Sequence, residues 1–147
     1  MASLDSTSAR SASAWHHLTA YNLTSIQPYS REVIMTTSTA LITGASGGIG
    51  LALARVHAEN GGNLVLVARS EDKLNAIKVE LESKYAVNVT VIVSDLSQPE
   101  SASEIFAQTQ QLGLHIDTLI NNAGFGGHGH FHERELKNDQ AMMQVNM

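Results

Sequence analysis

No cysteine occurs among the 147 residues, which excludes a disulfide framework, a thiolate zinc site and a cysteine nucleophile together. Basic residues are scarce. Nine Lys and Arg stand against 14 Asp and Glu, a net charge of −5, so the positive footprint of sequence-independent nucleic-acid binding is missing. No apolar run approaches the ~18 residues of a membrane-spanning helix, and the chain is expected to be a soluble, cytoplasmic protein with no membrane partner. Proline is limited to two residues, beside 11 Gly, 43% apolar and 16% charged residues. That is ordinary globular composition, and the length suits about one domain.

Composition shifts near residue 38. Residues 1–37 are rich in Ser, Thr and Ala, and their apolar residues (Trp15, Leu18, Leu23, Ile26) keep no period. No apolar h-region follows a basic start, so a secretory signal is not expected. Two Arg (Arg10, Arg31) against two acids (Asp5, Glu32) give a transit peptide little support. The segment is expected to be a disordered or dispensable extension ahead of a domain spanning 38–147.

From Thr39 onward, short apolar runs alternate with helical periodicity. Ala40-Leu41-Ile42-Thr43 reads as a buried strand, and Ile49, Leu53 and Val56 recur at helical spacing until Gly61-Gly62. Leu64-Val65-Leu66-Val67-Ala68 is a continuous apolar strand, as in a sheet covered on both faces. Ser70 stands as cap of a helix with Leu74, Ile77, Leu81 and Tyr85 inward, whereas Glu71, Asp72, Lys73 and Lys78 read as its solvated face. Val89–Val93 forms a third strand ending at Asp95. Ser97-Gln98-Pro99-Glu100 has the form of a capping box opening a helix with Ile105, Phe106 and Leu112 inward. Thr118–Asn121 makes a fourth strand, and a last helix is expected from Glu133 onward, with Met143 and Met147 in the core. His57 and His115 are expected at the surface. Strands separated by whole helices cannot pair as hairpins, so an α/β fold follows: a doubly wound, Rossmann-type parallel sheet reaching the fourth strand and the helix after it.

The first strand runs directly into Thr43-Gly44-Ala45-Ser46-Gly47-Gly48-Ile49-Gly50, which opens the first helix. Gly44 permits a tight exit from the strand, Gly48 removes a Cβ where backbone must approach a pyrophosphate, and Gly50 allows close helix packing. Free N–H groups and the positive dipole end of that helix then face the phosphates. A glycine-rich turn alone is weak evidence; the strand before it and helix after it are the confirming context. Arg69 sits at the end of the second strand, about 20 residues on, where an acid would accept the ribose 2′-OH of NAD. A cation there favours the 2′-phosphate of NADP; the plainer alternative is a solvated strand end. No Lys follows the glycine loop and no Gly-x-Ser-x-Gly elbow occurs, so phosphotransferase and hydrolase readings lose support.

The chain from Thr39 onward resembles the short-chain dehydrogenase/reductase family in its classical form. Three motifs carry the likeness: the glycine loop, Asn121-Asn122-Ala123-Gly124 after the fourth strand, and Val145-Asn146-Met147. The resemblance implies that Ser46, Gly48, Ile49 and Gly50 line the pyrophosphate of NADP, with Thr43 and Gly44 shaping the turn. It implies that Asp95 and Leu96 meet the adenine, and that Asn122, Ala123 and Gly124 run along the nicotinamide-side ribose. Asn121 would tie the fourth strand to its neighbours, and Asn146 would take the catalytic-relay position, holding a water through its backbone. Asp95 as a mere strand cap and Asn121-Asn122 as a mere turn remain open.

Family chemistry moves a hydride between nicotinamide and a small carbonyl or alcohol, with a Tyr as proton donor, a Lys four residues on, and a Ser orienting the substrate oxygen. Tyr21, Tyr29 and Tyr85 are followed at that spacing by Ser25, Val33 and Val89. The likeness therefore covers the cofactor half, and this chain alone is expected to be inactive. In the complete enzyme a homo-oligomer is expected. The alternative is a non-catalytic NADP(H)-binding or sensing module. His128, His130 and His132, in a Gly/His tract, are open to three readings: a metal ligand set, a substrate-side loop, or a solvated loop. No metal site is assigned.

Overall fold

The computed structural model describes residues 37–147; the expectation for the N-terminal extension lies, Thr37 apart, outside them. Strands β1 (Thr39–Thr43), β2 (Asn63–Ala68), β3 (Val89–Val93) and β4 (Thr118–Ile120) alternate with helices α1 (Gly48–Glu59), α2 (Glu71–Tyr85), α3 (Ser101–Gln111) and α4 (Leu136–Asn146). The strands form one parallel sheet in the order β3-β2-β1-β4. This is the expected Rossmann-type architecture.

Strand periodicity explains why β2 has no polar face. Leu64 and Leu66 point to one side, with Ala40, Ile42, Leu74, Ile77 and Leu81 beneath α1 and α2. Val65 and Val67 point to the other, with Leu41, Ile92 and Ile105 of α3. Both sides are sealed, so alternation gives way to a continuous apolar run. Leu74 and Leu81 are fully buried, each removing apolar surface worth roughly 1.5–3 kcal/mol.

Helix α1 corrects one expectation. Ile49 and Val56 are 73% and 57% exposed, and the buried residues are Gly50, Ala54 and Ala58. They recur every fourth position, so a stripe of minimal side chains, not the largest apolar ones, faces inward. Leu53 packs at the margin of the core. In α3 the same spacing buries Ser101, Ile105 and Thr109. Phe106 lies one position, about 100°, off that stripe; it is 66% exposed and Leu112 is 57% exposed.

Helix starts also differ. Ser97-Gln98-Pro99-Glu100 forms turns before α3; Ser101 takes the first helical position, and Glu100 precedes it without a side-chain cap bond. Ser70 does precede α2, but its side chain makes no cap bond. Glu133 closes a 3-10 turn (Phe131–Glu133), and extended backbone at Arg134 and Glu135 delays α4 to Leu136. Met143 and Met147 are 56% and 96% exposed; they line an open groove between α4 and the turn at Ser97-Gln98-Pro99 and are not packed in the core. The solvated face of α2 loses Lys78, which is half-buried. Its ammonium donates to the carbonyl of Val89 and pairs with Glu82 at 2.8 Å, while Glu82 accepts the Val89 N–H at 3.0 Å. β3 is an edge strand of the sheet, and with the Val89 N–H and carbonyl both taken by these two side chains, that edge is blunted.

His57 is half-buried rather than a surface residue; its ring nitrogen lies 3.2 Å from the Ser38 carbonyl oxygen. The ring covers Gly62 so closely that a Cβ there would fall against it. His115 is exposed and lies 3.2 Å from Asp117.

Candidate functional site

The C-terminal ends of β1, β2, β3 and β4 converge on one open cleft, bounded by Gly44, Ser46, Ala68, Arg69, Ser70, Ser94, Asp95, Leu96, Ala123, Gly124, Phe125 and Val145. Its volume is about 180 Å3. A crevice outside the carboxyl ends of parallel strands, where neighbouring connections diverge, is where this architecture takes ligands. Seven of the residues singled out in the sequence meet here: Gly44, Ser46, Arg69, Asp95, Leu96, Ala123 and Gly124. Thr43, Gly48, Ile49, Gly50, Asn122 and Asn146 stand outside the cleft lining and act on its frame or its approach.

The glycine loop is shaped as backbone sterics require. Gly44 has φ +66° and Gly48 φ +56°, conformations that cost an L-residue energy. A Cβ on Gly44 would lie 2.9 Å from the Ala123 Cα. On Gly50 it would lie 2.5 Å from the Gly44 carbonyl oxygen and 2.6 Å from the Asn122 amide nitrogen. Gly50 thus permits contact with the loop itself more than with the sheet. A Cβ on Gly47 or Gly48 would meet no atom within 4 Å, so the helix start is open to solvent. Ile49 beside them is exposed.

Thr43 organises the junction of loop and β4. Its hydroxyl accepts the N–H groups of Asn122 and Ala123, both at 3.0 Å, and lies 3.4 Å from the Ile120 carbonyl oxygen. The Asn122 side chain donates to the Thr43 carbonyl at 2.9 Å. The tie that the resemblance implies for Asn121 is therefore made by Asn122, and Asn121 is exposed. At the opposite end of β1, Asp117 accepts the Thr39 N–H at 2.8 Å and returns its own N–H to the Thr39 carbonyl at 2.9 Å. Sequence reasoning missed Asp117; its place one residue ahead of β4 was the available signal.

Electrostatics divide the cleft. Asp95 accepts the Ser97 N–H at 3.1 Å. That bond first, then the Ser97 hydroxyl, holds its carboxyl below the ordinary 3.8, with the Arg69 charge adding to the effect. A carboxylate fixed by its own turn therefore shares the cleft with an exposed guanidinium. On the far wall, the Asn146 side chain clamps the backbone of one residue: Oδ1 accepts the Phe125 N–H at 3.2 Å and Nδ2 donates to the Phe125 carbonyl at 3.1 Å. A Cβ on Gly124 would lie 3.1 Å from that same oxygen. Among the described residues no cluster of three His, Cys, Asp or Glu has metal-binding geometry, and no helix is long and apolar enough to cross a membrane.

A parallel sheet, a glycine-rich first turn and a cleft at the strand ends together define a nucleotide-binding Rossmann-type domain. Residues 38–147 match the short chain dehydrogenase family model, and the chain belongs to that family. It is 39% identical over 107 residues to the 11-beta-hydroxysteroid dehydrogenase of Pinus massoniana, covering 72% of this chain and 30% of that protein. With the 7beta-hydroxysteroid dehydrogenase of Collinsella aerofaciens it shares 35% identity, covering 73% and 40%. The structure of a short-chain dehydrogenase from Sphingobium yanoikuyae in complex with NADPH superposes with a TM-score of 0.69 at 34% identity, over 74% of this chain and 42% of that one. The chain thus spans well under half the length of these relatives.

Proposed function

We propose that this chain binds NADP(H) as the cofactor-binding part of a short-chain oxidoreductase acting on a small carbonyl or alcohol. The observation that carries the reading is the shared cleft of the glycine loop and Arg69. Backbone amides at the start of α1 suit a diphosphate, and the open space over Gly47 and Gly48 leaves room for it. Arg69, at the end of the next strand, supplies a cation for a 2′-phosphate. The Sphingobium relative's complex with NADPH supports the same choice.

In this reading Gly44, Ser46 and Gly48 hold the diphosphate, Ile49 and Gly50 frame it, and Thr43 and Asn122 keep the loop in place. Arg69 receives the 2′-phosphate, and Asp95 and Leu96 border the adenine. Ala123 and Gly124 face the nicotinamide-side ribose, and Asn146 fixes the wall behind them. Bound there, the nicotinamide would supply or accept a hydride. None of the three tyrosines has a Lys four residues on, so the proton donor of that reaction is not assigned to these residues. The chain alone is expected to bind NADPH without reducing a carbonyl.

Calorimetric titration with NADPH and NADH tests this. A charge-assisted hydrogen bond contributes ~1.5–3 kcal/mol, so NADPH should bind roughly ten- to a hundredfold more tightly. Equal affinities would remove Arg69 from the site. Binding of neither would overturn the reading.

A further inference from the structure

The segment that leaves the cleft at Phe125 and returns to α4 is held at two separate places. Asn146 holds the Phe125 backbone at both its N–H and its carbonyl. Nine residues on, Arg134 forms an ion pair with Asp139, the one buried residue of α4. The two side chains are only 20% and 12% exposed. The guanidinium also lies on the Gly127 backbone: a Cβ there would fall 2.5 Å from the Arg134 Cζ and 3.0 Å from Nη1. Between these holds the tip is open. Gly126 and Gly129 have no atom within 4 Å of where a Cβ would stand, Gly129 has φ +103°, and Phe131 is 79% exposed.

An ion pair taken out of water gains little net stability over an apolar pair, because desolvation offsets the attraction; what it fixes is geometry. We propose that Arg134 and Asp139 are positioning residues, a latch seated on Gly127 that sets where the 126–133 segment stands beside the cleft, independently of the Asn146 clamp on the cleft wall. The latch deepens the NADP(H) reading, on which it rests for the identity of the cleft. Its consequence is a substrate-side segment whose placement changes without changing cofactor affinity.

The absence of native cysteine allows the full chain to be spin-labelled at introduced cysteines. Phe131→Cys with Val56→Cys reports the tip against α1, and Val79→Cys with Val56→Cys reports α2 against α1 as a control; all three positions are exposed. Pulsed electron paramagnetic resonance should give a tip distance distribution at least twofold wider in Asp139→Asn and in Gly127→Ala, with the control pair unchanged. Gly127→Ala keeps both charges and removes only the seat, so it decides the matter if Asp139→Asn does not fold. Adding Arg134→Lys to Gly127→Ala should narrow the distribution again, because a slim ammonium clears the new methyl and still reaches Asp139. Affinity for NADPH should stay within twofold in every unlabelled variant. An unchanged tip distribution, equal broadening of the control pair, no rescue by Lys, or a parallel loss of NADPH affinity would overturn the latch. Failure of the wild-type chain to bind NADPH would remove the cofactor reading, while the distance measurements would still decide the latch.

Discussion

Asn122 and Thr43 are joined twice, backbone N–H to hydroxyl at 3.0 Å and side-chain amide to carbonyl at 2.9 Å, across 79 positions of sequence. The pair locks the end of the edge strand β4 to the turn that opens α1. Its strength lies mainly in what its loss would leave behind.

Thr43→Val keeps the shape and removes the acceptor of the Asn122 and Ala123 N–H groups. An unsatisfied buried donor costs ~1–3 kcal/mol, and Thr43 is only 7% exposed. Urea unfolding should show a loss of about 2 kcal/mol, with Thr43→Ser close to wild type. A Val variant as stable as the Ser variant would contradict this role.

Gly50→Ala and Gly47→Ala should part company. The first drives a methyl against the Gly44 carbonyl and Asn122; the second meets nothing within 4 Å on extended backbone at φ 175°. Overpacking of this kind costs ~1–3 kcal/mol. Gly50→Ala should lower the unfolding midpoint and weaken NADPH at least tenfold, and Gly47→Ala should leave the midpoint in place. Thermal melts of the two variants read the difference directly.

Arg69→Gln should erase the preference for NADPH over NADH, lowering NADPH affinity about tenfold or more and leaving NADH within twofold. The NADPH effect should shrink with added salt, since the side chain is exposed. A variant that loses both cofactors equally would place Arg69 in the fold, not in 2′-phosphate recognition.

Acid should loosen the β3 edge. The Lys78 hydrogen bond first, then the Val89 N–H, holds the Glu82 carboxyl below its ordinary 4.5. A carboxyl whose folded pKa lies under its unfolded one contributes stability fully above the unfolded value and loses it as pH falls through the folded value. Glu82→Gln should therefore be less stable than wild type near neutrality and show a shallower decline of stability in acid. Parallel acid limbs for the two proteins would refute it.

The element order was legible because each buried strand is a short apolar run punctuated by glycine or polar residues, as in Leu64–Ala68. The glycine loop was legible because backbone sterics restrict which residues can stand at Gly44 and Gly50. Helix faces were harder. Hydrophobicity pointed to Ile49 and Val56, yet close approach of α1 demanded the small Gly50, Ala54 and Ala58. Partner choice in polar ties was hidden as well: Asn121 and Asn122 are chemically identical, and only the course of the chain beyond β4 decides which one reaches Thr43. Polar pairs outside any regular spacing, such as Arg134 with Asp139 five residues on, or Asp117 with Thr39 across 78 positions, leave no periodic trace in a chain read one residue at a time.

The Gly50-Ala54-Ala58 stripe also bears on recognition. Where backbone rather than long, mobile side chains spaces a helix from its sheet, few rotamers remain to freeze when a guest arrives. The entropic penalty of association should fall instead on the exposed guanidinium of Arg69 and on the guest itself.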